Sequence, residues 1–308
     1  MKLQKGFFKI SSGTSGYAYT NTRVKAMKSK LLKKEDFEKF LKISLPEIAR
    51  YLQETEYKRE ITELSIKFAD ANLIEYALNR NLENTFAKIL GFALQQPKSQ
   101  IRLYLRRYDI ANIKTVLRGK FSQASDEQIS NELVACGELS RNFLEHAISE
   151  SDNAAEAIEH FKNTEYYTIL KKFSNDLPQL EDELDKLYYA IVLANAEREL
   201  EDYIRMEISV KNALNRLRAK RVNIKVEIIP GEKKITVPYQ DDSIEARVFM
   251  KKLLIEKAIR MVHEVKRNAK PILGYFIAKE NEVSNIRILT RGRHSGFSEE
   301  SIQKQLVI

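Results

Sequence analysis

The sequence predicts an all-α protein, and three observations support this fold class. Gly and Pro, which most often interrupt helices, account for only 10 and 6 of the 308 residues. These are roughly 3% and 2% of the chain, against about 7% and 5% in ordinary proteins. Apolar residues recur at a helical spacing of three and four positions along nearly the whole sequence. One amphipathic pattern also returns in four separate stretches. A chain of this length can bury a substantial core and is expected to form two or three domains.

Helical periodicity begins after a short Ser- and Gly-rich segment at residues 11–16 and continues almost to the C-terminus. The spacing predicts helices over 17–32, 35–43, 69–94, 100–119, 126–136, 140–149, 154–161, 180–221, 243–268, 273–290 and 299–306. Ser125 and Gln128 fit a capping box at the start of the helix that begins at 126. Ser298 precedes Glu299 and Glu300, which places acidic side chains in a first helical turn, where the helix dipole favours them.

Two segments leave alternatives open. Residues 180–221 contain neither Gly nor Pro, so they form either one long helix or two helices joined near 195–199. Residues 222–238 depart from helical periodicity, because apolar and polar residues alternate on both sides of Pro230 and Gly231. This alternation predicts a short β-hairpin near 224–237 or, equally well, a structured loop without strand pairing.

Four stretches of the chain are copies of one helical unit. The clearest pair is residues 109–120 and 282–293, and both copies continue after the same gap into Ser-initiated helices at 125–133 and 298–306. A third copy spans 207–221, and a weaker fourth copy spans 21–30. Repeats of this size predict an array or a pseudo-symmetric assembly rather than a unique catalytic fold.

Each copy carries an Asn early in its helix and cations late, where they suit the negative end of the helix dipole. We expect the polar residues of the copies to hold the internal packing of each unit or to lie at an interface. These residues are Asn21, Arg23, Asp109, Asn112, Arg118, Asn212, Arg218, Glu282, Asn285 and Arg291. The alternative is that the copies are unrelated surface helices, which resemble one another because helical patterns are common.

Charge and composition exclude several classes of protein. The net charge of +9 fits an acidic partner, a polyanion or an anionic membrane surface. However, the 52 basic and 43 acidic side chains are interspersed, so most are expected on solvated helix faces. Cys136 is the single cysteine, which excludes an intramolecular disulfide and a cysteine-based zinc site. The N-terminal residues lack the apolar core of a signal peptide, and no stretch of about 18 apolar residues occurs, so we expect no membrane-crossing segment.

The sequence contains no recognisable catalytic or cofactor-binding motif. Residues 118–122 include a Gly-Lys pair but lack the upstream glycine and the following hydroxyl of a phosphate-binding loop. The 4 histidines lack metal-ligand spacing, and the acidic run at 181–185 fits a helix N-terminus better than a calcium site. Basic clusters at 211–221 and 102–107 lack the interleaved aromatics of a nucleic-acid site and are interpreted as solvated faces or as contacts with other protein chains. We therefore expect no active site, cofactor, metal or nucleic-acid partner.

Four motifs carry a resemblance to a known family. The segments 17–32, 107–120, 207–221 and 274–287 resemble the C subunit of archaeal and bacterial A-type/V-type rotary ATPases, whose eukaryotic relative is the d subunit of the V-type ATPase. The resemblance covers the chain from about residue 17 to its C-terminus, with the motifs in the same order. The third motif departs from the family pattern at Ser209, Lys211 and Arg216, so this helix is expected to be more exposed or to face a different neighbour. Residues 222–242 also differ from the usual loop.

The resemblance implies a funnel-shaped assembly of three similar helical domains with pseudo-threefold symmetry, and we place their approximate boundaries at 1–105, 106–205 and 206–308. It also implies a non-catalytic central-stalk, or rotor, protein on the cytoplasmic face of the membrane. Such a protein couples the proteolipid ring to the D and F subunits of the shaft, and it transmits torque between ATP chemistry and proton or sodium transport. The main alternative is a soluble helical-repeat scaffold that binds protein or nucleic acid partners. An enzyme would need a pocket of converging titratable groups, which the sequence does not reveal.

Overall fold

The structure, a computed structural model, describes residues 15–222, 227–264 and 267–308. These residues form fifteen α-helices and contain no β-strand, so the predicted all-α class is confirmed. In chain order the helices are α1 Ser15–Lys28, α2 Lys34–Phe40, α3 Leu45–Leu52, α4 Lys58–Leu64, α5 Asp70–Phe92, α6 Gln95–Phe121, α7 Asp126–Glu132, α8 Arg141–Ser149, α9 Ala154–His160, α10 Tyr167–Lys172, α11 Leu177–Asn195, α12 Arg198–Val222, α13 Ile244–His263, α14 Lys270–His294 and α15 Glu299–Gln303.

The long predicted helices are present, with differences at their ends. Residues 180–221 adopt the second of the two alternatives, because Ala196 is extended (φ −73°, ψ 144°) and separates α11 from α12. The helix predicted over 126–136 is shorter, since Leu133 is extended and ends α7. The short helices α3, α4 and α10 were not predicted. Each has only six to eight residues, so its apolar period is weak, although helices of similar length such as α2, α7, α9 and α15 were predicted.

The irregular segment after α12 forms a loop. Within the described residues 227–242 there is no strand, so the predicted hairpin is wrong for this part of the segment, and residues 223–226 lie outside the described chain. Ile229 is buried, whereas its neighbour Ile228 is 38% exposed. The alternation of apolar and polar residues therefore reflects a loop with one face against α12 rather than a strand pair.

Six long helices form the body of the protein. Short connections join them into three hairpins, α5–α6, α11–α12 and α13–α14. Helices of neighbouring hairpins also contact each other, because α6 packs on α11, α12 on α13 and α14 on α5. The six helices thus contact one another in a closed ring, and this ring brings the end of the chain back to its beginning.

Three short helices precede two of the long helices in the same order. Helices α2–α4 come before α5, and α8–α10 come before α11. The residues at their starts correspond: Ser44 and Asn153 are the N-caps of α3 and α9, and Tyr57 and Tyr166 are the N-caps of α4 and α10. The repetition therefore extends beyond the four sequence copies and includes a set of short helices.

The core is nearly continuous across the ring. Phe276 of α14 lies with its ring centroid 4.5 Å from Phe86 of α5 and 5.7 Å from Tyr104 of α6, so aromatic side chains of three long helices meet. A smaller apolar cluster of Val210, Ala213 and others lies between α12 and α13. Among the helices that the structure describes, none combines the length and apolar character needed to span a bilayer.

Candidate functional site

Three helices from different parts of the chain meet at one group of charged side chains. Arg107 of α6, Glu207 of α12 and Glu280 of α14 each lie five positions before the motif Asn of their helix. Nη2 of Arg107 donates to Oε2 of Glu207 at 2.8 Å, and Nη1 lies 3.8 Å from Oε2 of Glu280. We call these three residues the central cluster. Equivalent positions of three repeats therefore converge on a single point.

Tyrosines satisfy the remaining oxygens of the central cluster. The hydroxyls of Tyr104 and Tyr108 each donate to Glu280 at 2.8 Å, and Tyr189 donates to Glu207 at 2.9 Å. Arg107 in turn donates to the hydroxyl of Tyr188. Its guanidinium also lies 3.9 Å from the ring centroid of Tyr104, a cation–π distance.

The central cluster is largely shielded from water and holds two carboxylates for one guanidinium. The side chains of Arg107, Glu207 and Glu280 are 20%, 16% and 22% exposed. Burial raises the pKa of Glu280, and Arg107 together with the two tyrosine hydroxyls opposes this rise. Burial also lowers the pKa of Arg107, but attraction to Glu207 more than offsets this effect and holds it well above its ordinary value. The guanidinium therefore stays charged.

The motif Asn of three helices makes the same pair of hydrogen bonds. Nδ2 of Asn112 donates to the carbonyl of Val134 at 3.0 Å, and its Oδ1 accepts from the backbone N–H of the same residue at 2.9 Å. Asn285 holds Val307 in this way at 2.8 and 3.1 Å. Asn212 holds Ile229 at 2.9 and 3.0 Å. Each Asn thus fixes one buried peptide of the segment that follows its helix.

The late arginine of each motif pairs with an acidic residue. Nε of Arg118 lies 2.5 Å from Glu181, near the start of α11. Nε of Arg291 lies 3.2 Å from Glu75, near the start of α5. Nε of Arg218 lies 3.4 Å from Asp242, just before α13. All three arginines are more than half exposed, so each pair is expected to contribute at most about 1 kcal/mol.

A third polar position of the motif holds backbone N–H groups of the following segment. Asp109 is fully buried and accepts from the N–H groups of Glu138 and Leu139 and from the hydroxyl of Tyr166. Burial raises the pKa of Asp109, although these hydrogen bonds oppose the rise.

Glu282, the counterpart of Asp109 in α14, accepts from the N–H of Leu32 at 2.5 Å and from the hydroxyl of Tyr57 at 2.6 Å. Ser209, the counterpart in α12, accepts from the N–H of Lys233 at 2.7 Å. Because Ser209 is only 1% exposed, the expectation that its departure from the family pattern exposes this helix is wrong at this position.

The weakest copy, in α1, attaches this helix to the ring. Nδ2 of Asn21 donates to the carbonyl of Asn268, just before α14, at 3.2 Å. The guanidinium of Arg23 donates to the hydroxyl of Tyr19 at 2.7 Å and lies 4.4 Å from the ring centroid of Phe92 in α5. The predicted polar residues of all four copies therefore contact neighbouring segments of the same chain.

Glycines allow two of the motif helices to pack closely against the helix that follows. A Cβ added to Gly119 would lie 2.4 Å from Cγ1 of Ile129 in α7, and one added to Gly292 would lie 2.7 Å from Cγ1 of Ile302 in α15. The recurrence of Gly in the two clearest copies thus has a packing cause, since an isoleucine side chain occupies the space of the missing Cβ.

The central cluster itself was not predicted. The sequence assigns Arg107 to a basic cluster on a solvated face or at a contact with another protein chain. The solvated face is wrong for Arg107, because its side chain lies among the tyrosines between three helices. Glu207 and Glu280 were not candidates. Alignment of the copies on their Asn would have placed Arg107, Glu207 and Glu280 in one column, and opposite charges in one column are the signal that was available.

Arg107 is hydrogen-bonded to Glu207 and close to Glu280, and tyrosine hydroxyls donate to both carboxylates, an arrangement suited to joining helices. Beside it, a cavity of about 390 Å³ opens between α5, α6 and α14, with Glu75, Thr115 and Arg287 in its wall. In the described parts of the chain no three His, Cys, Asp or Glu side chains are grouped as metal ligands.

Comparison with known proteins agrees with the motifs. A family model described as ATP synthase (C/AC39) subunit matches residues 20–247 and 233–305. The C subunit of the A-type ATP synthase of Methanosarcina mazei is 36% identical, over 97% of this chain and 95% of that protein. The corresponding C subunit from Archaeoglobus fulgidus is 32% identical, over 96% of this chain and 97% of that protein. With matches over almost the entire chain, this protein belongs to the ATP synthase (C/AC39) subunit family of the rotary ATPases.

Proposed function

We propose that this chain is a non-catalytic central-stalk subunit of an A-type ATP synthase, which couples the proteolipid ring of the membrane sector to the D and F subunits of the shaft. In this role it transmits torque between ATP chemistry and ion transport. The relatives are C subunits of A-type ATP synthases by name. To this family membership the proposal adds a specific mechanical task.

One observation carries the proposal: three long helices converge at the central cluster and bear the same asparagine clamp. By this we mean the two hydrogen bonds that Asn112, Asn212 or Asn285 makes to one buried peptide. A torque adaptor must pass a load between two partners without deforming. Close-packed interiors resist deformation, and each asparagine clamp adds two buried hydrogen bonds that fix a loop to its helix. The ring of long helices and its charged centre support this role, because both join helices from different parts of the chain.

The finer points follow from this role. We infer three similar helical domains, with approximate boundaries at 1–105, 106–205 and 206–308, arranged as a funnel with pseudo-threefold symmetry. A circular mouth of this kind would receive the end of the shaft on one side and cap the ring on the other. The protein would then be peripheral on the inner face of the cell membrane, attached through the ring.

The test is reconstitution of an A-type complex with and without this chain. With the chain absent, the catalytic sector is expected to hydrolyse ATP while ion pumping into vesicles is lost, because no element connects the shaft to the ring. Adding the purified chain should restore pumping. A matched control adds the same chain after heat denaturation. Coupled pumping by complexes that lack the chain would overturn the proposal.

A further inference from the structure

A groove between α13 and α14 contains a half-buried lysine. It encloses about 320 Å³ and is lined by Ile244, Arg247, Val248 and Lys251 of α13, by Ser284 and Ile288 of α14, and by Gln305. We call it the Lys251 groove. Nζ of Lys251 donates to the hydroxyl of Ser284 at 2.8 Å, and apolar side chains form much of the remaining wall. A cation therefore lies inside a mainly apolar groove that is open to solvent.

Lys251 differs from the other cations near it. Arg247 forms an ion pair with Asp242, and Arg287 forms one with Glu75. For Lys251, the described part of the chain offers the neutral hydroxyl of Ser284 and no carboxylate at ion-pair distance. Among the described residues, no negative charge therefore compensates the charge of Lys251 in the groove.

This arrangement has an energetic consequence. Burial lowers the pKa of Lys251 to about 8, because the ammonium loses water without gaining a counter-charge. A charge in such a place is unfavourable unless it is paired and hydrogen-bonded. A carboxylate delivered to the groove would remove this cost and form a charge-assisted hydrogen bond.

The surroundings indicate what would carry that carboxylate. Past Ile288 the groove continues into a second one of about 320 Å³, which reaches Arg291 and Phe297. Phe297 is 58% exposed and Ile244 is 48% exposed, so apolar side chains face solvent at both ends. Exposed apolar surface next to an uncompensated cation complements a protein segment that presents an acidic residue among apolar ones.

We propose that the Lys251 groove is a docking site for an Asp or Glu side chain carried on an apolar segment of a protein partner in the rotor. The inference rests on the proposed function, because that function supplies the partners. It goes further by naming the surface, the residue and the chemistry of recognition.

The first test compares Lys251→Met with Lys252→Met, which removes a charge from the exposed neighbouring residue. Binding of each purified variant to the isolated proteolipid ring and to the complex of the shaft subunits is measured separately. Lys251→Met is expected to bind one of the two partners about tenfold more weakly or worse, and Lys252→Met is expected to bind like the wild type. Thermal unfolding of both variants verifies that they fold.

The outcomes separate the two proposals. If the wild-type chain binds neither the ring nor the shaft complex, the proposed function fails. If it binds and Lys251→Met binds equally well, the docking site alone is refuted. Binding of the free chain to vesicles containing anionic lipid, lost in Lys251→Met while protein binding is retained, would overturn the site in favour of a lipid surface.

The second test is the pH dependence of binding. A bound carboxylate stabilises the charged lysine, so the wild-type affinity should fall about tenfold for each pH unit above about 8. The other charged groups along the groove, Arg247, Arg287 and Arg291, keep their charge over this range. Lys251→Arg also keeps its charge and should lose much less affinity. Identical pH profiles for the wild type and Lys251→Arg would contradict the proposal.

Discussion

Arg107 and Glu207 hold the same position in their helices, and yet they form an ion pair with each other at 2.8 Å. A third equivalent residue, Glu280, lies 3.8 Å from the same guanidinium. Repeated units usually place like residues at equivalent positions, but here one of the three side chains carries a positive charge and the other two carry negative charges. The centre of the protein is therefore held by electrostatic attraction as well as by packing.

Removal of the single cation should weaken the whole ring. Arg107→Met leaves Glu207 and Glu280 largely buried without a counter-charge, which is expected to lower the free energy of unfolding by about 3–5 kcal/mol. Urea denaturation measures this change. The triple variant Arg107→Met, Glu207→Gln, Glu280→Gln should recover much of the loss, because it also removes the unpaired carboxylates.

The matched control for this prediction is Arg102→Met. Arg102 also lies in α6, but its side chain is 56% exposed and 3.9 Å from Glu138, so its replacement should change stability by less than about 1 kcal/mol. Equal effects of Arg107→Met and Arg102→Met would refute a special role for the central cluster.

The asparagine clamps should contribute to stability. Asn112→Ala leaves the buried N–H of Val134 without a partner and its C=O with the N–H of Cys136 alone. The change is expected to cost about 1–3 kcal/mol, as measured by thermal or chemical unfolding. Asn285→Ala should have a similar effect through Val307. Asn163→Ala, at an exposed position, is the control. If Asn112→Ala and Asn285→Ala left stability unchanged but abolished assembly, these residues would act at an interface instead.

Two helical glycines should respond in opposite directions to the same substitution. Gly119→Ala would put a Cβ 2.4 Å from Ile129, and such overpacking should cost about 1–3 kcal/mol. No atom lies within 4 Å of a Cβ at Gly91, so Gly91→Ala should stabilise by about 0.5–1 kcal/mol. Differential scanning calorimetry of the two variants compares them. Destabilisation by both would mean that the contact with Ile129 is not the cause.

Sequence periodicity predicts the long helices well, because each of these helices repeats its apolar pattern over many turns. It finds the short helices α2, α7, α9 and α15 but misses α3, α4 and α10, which are of similar length. In a helix of about two turns the apolar period alone does not decide the outcome. The break at Ala196 carries no Gly or Pro, and tertiary packing decides its exact position. For the same reason the sequence leaves a choice between one helix and two.

The motif residues were identifiable from the sequence, but their partners were not. Recurrence alone points to Asn112, Asn212 and Asn285, whereas the peptides that they hold lie 17 to 22 residues further along the chain. Arg107 was not identified as a buried residue at all, because a charged residue in a basic segment resembles a surface residue. Its burial depends on Glu207 and Glu280, which are brought near only when the ring closes.

The unequal charges of the central cluster bear on how such a protein can arise. Three identical polypeptides, each with one copy of the unit, would place three carboxylates or three guanidinium groups at the shared centre, where like charges repel each other at close range. A single polypeptide can change one copy and leave the others as they are. Fusion of duplicated units into one chain therefore permits an attractive centre that a homotrimer could not form.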